Sequence, residues 1–243
     1  MHRLLVSSET LTASAPAIPA DAARHLRVLR PKPGEEIELF DGRGVFRVYV
    51  WNGEALTAAQ PAETAVRDAN NSLTLFACVT KGSRWDWTIE KATELGVARI
   101  VPVISARTIV RIPKEERAAK RLRWQRIAED AARQSDAKFL PEILEAVDFN
   151  DALPMVRETR CFVGALVTPP ACPLVEAVGV SPSGALAVFV GPEGDFSPEE
   201  LGALLEIATP TSFGPTVLRA ETAAIFAVSV VSALRHRRGS DAP

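Results

Sequence analysis

The sequence predicts an α/β chain. A β-rich N-terminal part, built as a small barrel or open sheet, precedes a domain of helices around a parallel sheet. Three observations predict it. Short alternating segments bounded by Asp-Gly and Asn-Gly turns occupy the first ~70 residues. From residue 73 onward, near-continuous apolar runs alternate with helical patterns over short connections, as βαβ units require. And 243 residues, 47% apolar and 24% charged, suffice for one large domain or two modest ones.

Taken in order, Val6 to Thr12 reads as a strand leading into the Ala/Pro-rich stretch 13–20. Asp21 is placed to cap a short helix, Ala22 to Leu29, that stops ahead of Pro31. Glu36 to Phe40 alternates around Ile37 and Leu39, Asp41-Gly42 turns the chain, and Val45 to Trp51 alternates again, which is a hairpin. Asn52-Gly53 signals a further turn. The polar segment 67–72 separates the parts, placing one domain at 1–71 and the other at 72–243. Leu73 to Thr80 is a short apolar strand. Trp85 to Leu95 is helical and closed by Gly96 at the residue past its end. Arg99 to Ser105 is almost continuously apolar, as a strand covered on both faces should be. Lys114 to Ser135 is a long helix offering Leu122, Ile127, Ala131 and Ala132 to one face. Cys161 to Val167 and Ala185 to Val190 are two more buried strands. Ser197, Pro198 and Glu200 then compose a capping box. The last helix, Glu221 to His236, is apolar on nearly every side until Arg235. It must be covered all round, by the centre of the core or by a second copy of the chain; the second reading predicts a homodimer.

Composition excludes several classes. Three cysteines (Cys78, Cys161, Cys172) with no CxxC pair, and only His2, His25 and His236, leave no disulfide framework, no zinc site and no multi-histidine chemistry. A reducing cytoplasm is the expected location. No apolar stretch reaches the ~20 residues needed to span a bilayer, and Leu4 to Val6 is too short for a signal-peptide core. The net charge is −2 but uneven: residues 105–138 hold ten Lys/Arg against five Asp/Glu, whereas 140–215 hold two against eleven. A local basic field suits a phosphate backbone; a solvated helix face would look the same.

Familiar cofactor and nucleophile signatures are missing: no GxxxxGK[ST], no GxGxxG after the first strand of the second part, no GxSxG. Gly42-Arg43-Gly44 serves the hairpin turn. Two loops carry the chemistry instead. The first, Val190 to Ser197, joins a buried strand to the capped helix, and its Gly191 and Gly194 permit φ > 0 and close approach of a ligand. It lies where open α/β sheets bind ligands. The second, Phe213 to Ala224, sets Arg219 and Glu221 at the start of the most apolar helix. Glu221 favours that helix N-terminus electrostatically and can pair with Arg219, or the arginine serves a binding loop. A third segment, Lys81 to Trp87, also follows a strand, and its Lys81 and Arg84 could hold phosphate or simply be solvated.

Together, KGSRWDWTIEKATELGVARIVPV (Lys81 to Val103), RWQRIAEDAARQS (Arg123 to Ser135), VGPEGDFSPEE (Val190 to Glu200) and FGPTVLRAETAA (Phe213 to Ala224) resemble the RsmE family, bacterial 16S rRNA uridine-N3 methyltransferases of the SPOUT superfamily. HLRVLRPKPGEEIELFDGRG (His25 to Gly44) is similar to that family's PUA-like barrel. The resemblance covers nearly the whole chain in matched order. It implies a trefoil-knotted C-terminal domain, a homodimer joined through the last helix, and 16S rRNA of the small ribosomal subunit as partner. It further implies S-adenosyl-L-methionine as cofactor, bent between the two loops. Gly191, Glu193 and Gly194 would line one wall, Phe213, Gly214, Val217, Leu218 and Ala220 another, with Leu166 closing the pocket. Arg219 and Glu221 become the catalytic pair, Arg219 stabilising charge on the base and Glu221 acting as base or orienting partner. Arg24, Arg27, Arg30, Lys32, Lys81 and Arg84 become contacts to RNA. No metal is implied.

The chain departs from the family at four places. Asp195 replaces the last glycine of GPEGG, Ala220 a threonine, Thr216 an arginine, and Asp136-Ala137 a Gly-Arg pair whose arginine Lys138 could replace. A knotted methyltransferase with another RNA target, or a non-catalytic ribosome-assembly factor, are the competing readings.

Overall fold

The computed structural model describes residues 1–67, 72–156, 159–167, 171–180 and 182–236. The chain divides into two units, one of Met1–Arg67 with Glu129–Leu140, the other of Asp68–Ala128 with Pro141–Pro243.

The first unit runs β1 (His2–Leu5), α1 (Ser8–Thr12), α2 (Ala20–Leu29), β2 (Glu36–Phe40), β3 (Val45–Trp51), β4 (Leu56–Ala58) and β5 (Glu63–Thr64). Its sheet has the order β1-β2-β3-β4, with β5 also on β3; β1 and β2 are parallel and the remaining pairs antiparallel. The hairpin of β2 and β3 forms as its alternation requires, with Phe40 opposite Phe46. Leu4, Leu11, Leu26, Ile37, Leu39, Tyr49 and Leu56 fill its core, and the Tyr49 hydroxyl lies 3.0 Å from the Ala13 carbonyl it donates to.

Two expectations are corrected here. Val6 to Thr12 is not a strand: the strand is His2–Leu5, and the chain turns into α1 at Ser7, whose carbonyl accepts from the Thr10 amide. Asp21 does not cap α2; it lies in the first turn, where its charge suits the helix N-terminus, and Pro19 occupies the cap. Residues 129–140 belong to this unit because the Gly42-Arg43-Gly44 turn holds them. The Gly44 amide donates to Lys138 O, the Leu140 amide donates to Gly42 O, and a Cβ on Gly42 would lie 2.5 Å from the Leu140 side chain. Lys138 makes an ion pair with Glu38, its Nζ 2.7 and 2.8 Å from the carboxylate.

The second unit runs β6 (Leu73–Cys78), α3 (Ser83–Glu94), β7 (Arg99–Ile104), α4 (Lys114–Gln134, its end counted with the first unit), β8 (Glu142–Ile143), β9 (Val147–Asp148) and α5 (Phe149–Ala152). It continues with β10 (Arg160–Gly164), β11 (Cys172–Pro173), α6 (Leu174–Val178), β12 (Leu186–Val190), α7 (Pro198–Leu205), β13 (Thr209–Ser212) and α8 (Ala220–His236). All its strand pairs are parallel, in the order β11-β13-β10-β12-β6-β7-β8 with β9 also on β7. Alternation splits the core into two layers. Leu75, Ile100 and Val188 face one way with Trp85, Ile89 and Val231 of the helices. Phe76, Val101 and Phe189 face the other with Phe149, Phe196 and Leu204. Along α4, Ala131 and Ala132 are buried and Ile127 packs partly buried, as expected, but Leu122 is exposed and Trp124, edge-on to Trp85, is buried with Ala128.

Among the described residues no helix is long and apolar enough to cross a membrane.

Candidate active site

The adjacent strands β13, β10 and β12 all run the same way, so their C-terminal ends share one edge of the sheet. There a cavity of about 330 Å³ opens, within the roughly 300–1,000 Å³ of ordinary small-molecule sites. Three chain segments wall it: Gly164 to Leu166 after β10, Val190 to Asp195 after β12, and Thr211 to Ala220 leading into α8, with Ala223 beneath. Of the residues expected at a cofactor, Leu166, Gly191, Glu193, Phe213, Gly214, Val217, Leu218 and Ala220 all line it. Gly194 does not; its carbonyl accepts from Arg107 NH1 at 2.8 Å, on the side facing the turn after β7.

The first loop departs from what its glycines suggest. Neither Gly191 nor Gly194 has positive φ; the left-handed residue is Asp195, at φ 59°. Aspartate tolerates that region because its side chain bonds the local backbone, and Asp195 Oδ1 accepts from the Phe196 amide at 2.8 Å. The departure from the family's glycine thus keeps the turn. Gly191 is closely surrounded instead: a Cβ there would come within 3.2 Å of Asp195 Oδ1 and 3.3 Å of the Phe196 ring, so these neighbours would have to shift by a few tenths of an ångström. Beyond the turn, Ser197 Oγ accepts from the Glu200 amide at 3.2 Å and Glu200 accepts from the Ser197 amide at 3.0 Å, the capping box read from sequence.

The second loop is held by packing. The Phe213 ring sits over Gly164, where a Cβ would be 2.4 Å away, and lies 5.8 Å from the Phe226 ring of α8. Sequence reasoning missed Gly164, for which only that close approach is a reason. Downstream, the Thr216, Val217 and Leu218 amides make no hydrogen bond among the described residues. Apolar walls (Val190, Phe213, Leu218) beside unpaired backbone amides suit a flat, polar-edged ring such as adenine. The cavity therefore fits S-adenosylmethionine, which these backbone groups would hold.

The charged residues gather on this unit differently from the expected Arg219–Glu221 pair. Arg219 is exposed on the cavity wall with no ion pair among the described residues. Glu221, its side chain only 11% exposed, is approached by Arg84 instead, Nε to Oε1 3.8 Å, while Arg84 NH1 reaches Glu193 at 3.3 Å. Glu221 Oε2 is buried without a hydrogen-bond partner. The turn from β6 into α3, exposing Lys81, supplies Arg84. In the other unit, Arg24 and Arg27 stand exposed on α2; Arg30 follows in the left-handed conformation at φ 48°, and Lys32 is exposed beyond it.

Residues 67–232 match the family model for the RNA methyltransferase domain, and 18–50 that for the RNA methyltransferase PUA domain. The Ribosomal RNA small subunit methyltransferase E of Bacillus subtilis is 32% identical over 158 residues, 63% of this chain and 62% of that protein. The Synechocystis sp. protein of the same name is 30% identical over 241 residues, 96% of this chain and 78% of that protein. The crystal structure of a Ribosomal RNA small subunit methyltransferase E from Neisseria gonorrhoeae bound to S-adenosyl methionine has a TM-score of 0.82 at 30% identity, covering 96% of this chain and 98% of that chain.

Proposed function

The chain belongs to the RNA methyltransferase family, and we propose on that premise that it methylates N3 of one uridine in the 16S rRNA of the small ribosomal subunit. The observation that carries the reading is a cavity walled by the two loops with Arg219 and Glu221 at the second. When bound there, S-adenosylmethionine supplies the methyl group and its own leaving group. The residues of this chain then have two tasks, alignment and charge. Alignment of reacting atoms contributes up to ~7–11 kcal/mol in favourable cases, and the close-packed walls at Gly164 and Gly191 support it. The N3 proton must leave, which spreads negative charge over N3 and the ring oxygens; that charge is consumed as the N3–carbon bond forms and the methyl carbon–sulfur bond breaks. Glu221, with an acceptor oxygen that no donor occupies, takes or orients that proton. Arg219, exposed on the wall and uncommitted among the described residues, faces the developing charge. A paired uridine hides N3, so the target is unpaired or flipped out.

The exposed basic residues Arg24, Arg27, Arg30, Lys32 and Lys81 are the proposed phosphate contacts, with residues 1–71 as the PUA-like domain and 72–243 as the methyltransferase domain. A homodimer is part of the reading. Its support is α8, which buries Ala224, Val228 and Val231 in its own core yet leaves Thr222, Phe226 and Ala233 exposed along another face. A trefoil knot is part of it too. Its support is that β13 pairs outside β10 while α8 returns to pack on α3, β6 and β12. The cytoplasm, where ribosomes are, is the proposed location.

The experiment is incubation with labelled S-adenosylmethionine and small subunits from a strain lacking the gene, with the methyl group mapped by nuclease digestion and mass spectrometry. One N3-methyluridine in 16S rRNA is expected; a methyl group elsewhere changes the substrate, and no transfer alongside donor binding favours an assembly factor. Arg219→Ala should lower turnover about 10²- to 10³-fold while calorimetry shows donor affinity kept. An equal loss of donor affinity would refute this division of roles.

A further inference from the structure

Read as sequence, Arg84 belongs with Lys81 among the groups awaiting RNA phosphate. Its surroundings assign it otherwise. The guanidinium stands between two carboxylates, Glu193 on the cavity wall at 3.3 Å and Glu221 at the start of α8 at 3.8 Å. Glu221 is the more confined of the two, and its second oxygen is buried with no hydrogen-bond partner. A buried carboxylate so placed keeps its direction only if a partner fixes the other oxygen. Arginine can do this for two acids at once, because its donors are spread over a rigid planar fork, whereas lysine offers a single point charge. The backbone also commits Arg84: it lies in the first turn of α3, where its carbonyl accepts from Thr88 Oγ1 at 3.0 Å and the neighbouring Trp85 is buried in the core. Its Cα is therefore anchored while its head reaches Glu193 on the cavity wall.

We propose that Arg84 is a positioning residue that ties the two loops together through Glu193 and Glu221 and fixes the Glu221 carboxylate for the reaction. This deepens the methyltransferase reading and rests on it. Two consequences separate it from a phosphate contact. Loss of Arg84 should act on turnover through Glu221 and on donor binding through Glu193, and it should leave the affinity for rRNA alone.

The test uses the full chain with Arg84→Gln, Arg84→Lys, Glu193→Gln and the double variant Arg84→Gln/Glu193→Gln. With small subunits and saturating S-adenosylmethionine, Arg84→Gln should lower kcat about 10- to 100-fold, with KM for subunits unchanged and Arg84→Lys intermediate. A raised KM for subunits with kcat kept would make Arg84 a phosphate contact and overturn the proposal. Calorimetric titration with S-adenosylmethionine alone supplies the second arm, which needs no rRNA. Arg84→Gln and Glu193→Gln should each weaken binding, and the double variant should be no weaker than the worse single one. Losses that multiply, or no loss in either single variant, overturn the bridge. If the wild-type chain methylates no ribosomal particle, the function proposed above fails, and this second arm still decides Arg84. Because Arg84 is about half exposed, all four variants should keep the wild-type thermal midpoint closely, and the lysine variant serves if the glutamine one does not fold.

Discussion

Asp195 shows how one residue can break a family pattern and keep its geometry. At φ 59° it occupies a conformation that costs an ordinary residue of order 1–2 kcal/mol, and its Oδ1 bond to the Phe196 amide offsets part of that. Glycine would remove the strain, lose the bond and cost more backbone entropy. Asp195→Gly should therefore unfold within about 1 kcal/mol of wild type, while Asp195→Ala, which keeps the strain and loses the bond, should lose about 1–2 kcal/mol; equal urea midpoints for the two would refute this. The cysteines give a second prediction. Burial pushes the Cys78 and Cys161 thiols up to about 12. Cys172 is exposed, and residual desolvation together with the Glu176 carboxylate, 3.6 Å away, holds it above its ordinary value. At pH 8 iodoacetamide should label native protein only at Cys172, and Glu176→Gln should speed that reaction; three labelled cysteines before unfolding would refute it. The sign follows for stability: in the unfolded chain the Cys78 and Cys161 thiols ionise near 9.0, in the folded one near 12, so their contribution is present below pH 9 and lost as pH rises toward 12.

At the scale of elements, β1 and β2 illustrate how a charged pair can be buried inside a sheet. Arg3 and Glu38 are register partners on these parallel strands, and both side chains are almost fully covered. Arg3 Nε donates to Glu38 at 2.8 Å, its two NH groups donate to the carbonyls of Ala132 (2.6 Å) and Ala137 (3.1 Å), and the guanidinium lies 4.0 Å from the Phe40 ring centre. Lys138 completes the cluster. The strand pair and residues 129–140 are thus joined by one satisfied network, in which removing a single member strands the others. Arg3→Ala should cost about 3–5 kcal/mol of unfolding free energy. Arg3→Leu/Glu38→Leu, which removes both buried charges, should cost less, since Lys138 can turn to solvent. A double variant as unstable as Arg3→Ala would show that the carbonyl bonds, not the charges, dominate.

For the whole molecule, the exposed face of α8 ties assembly to the cavity. Phe226 stands on that face and touches Phe213, whose ring forms a cavity wall. If a second copy covers the face, Phe226→Asp places a charge in the interface and should yield monomers by light scattering, with weaker S-adenosylmethionine binding through Phe213. A wild-type chain that is monomeric at micromolar concentration would refute the dimer.

The sequence by itself determined the elements that local rules govern. The β2–β3 hairpin follows from alternation around Asp41-Gly42, the α7 cap from Ser197 and Glu200, and the parallel strands from apolar runs such as Val188 to Val190. The two loops that wall the cavity stood out too, the first after a buried strand and the second before the most apolar helix, while their individual lining residues came from the family resemblance. What only the tertiary structure decided are the facts that depend on residues distant in the chain. Residues 129–140 join the first unit through Gly42 and Gly44, more than 80 positions earlier. Gly164 must be glycine because Phe213 lies over it. Arg84, not Arg219, faces Glu221. Periodicity and capping act over a few residues, so they mark strands, helices and turns; which cation meets which carboxylate is set by the crossing of helices and strands, and no local pattern encodes it.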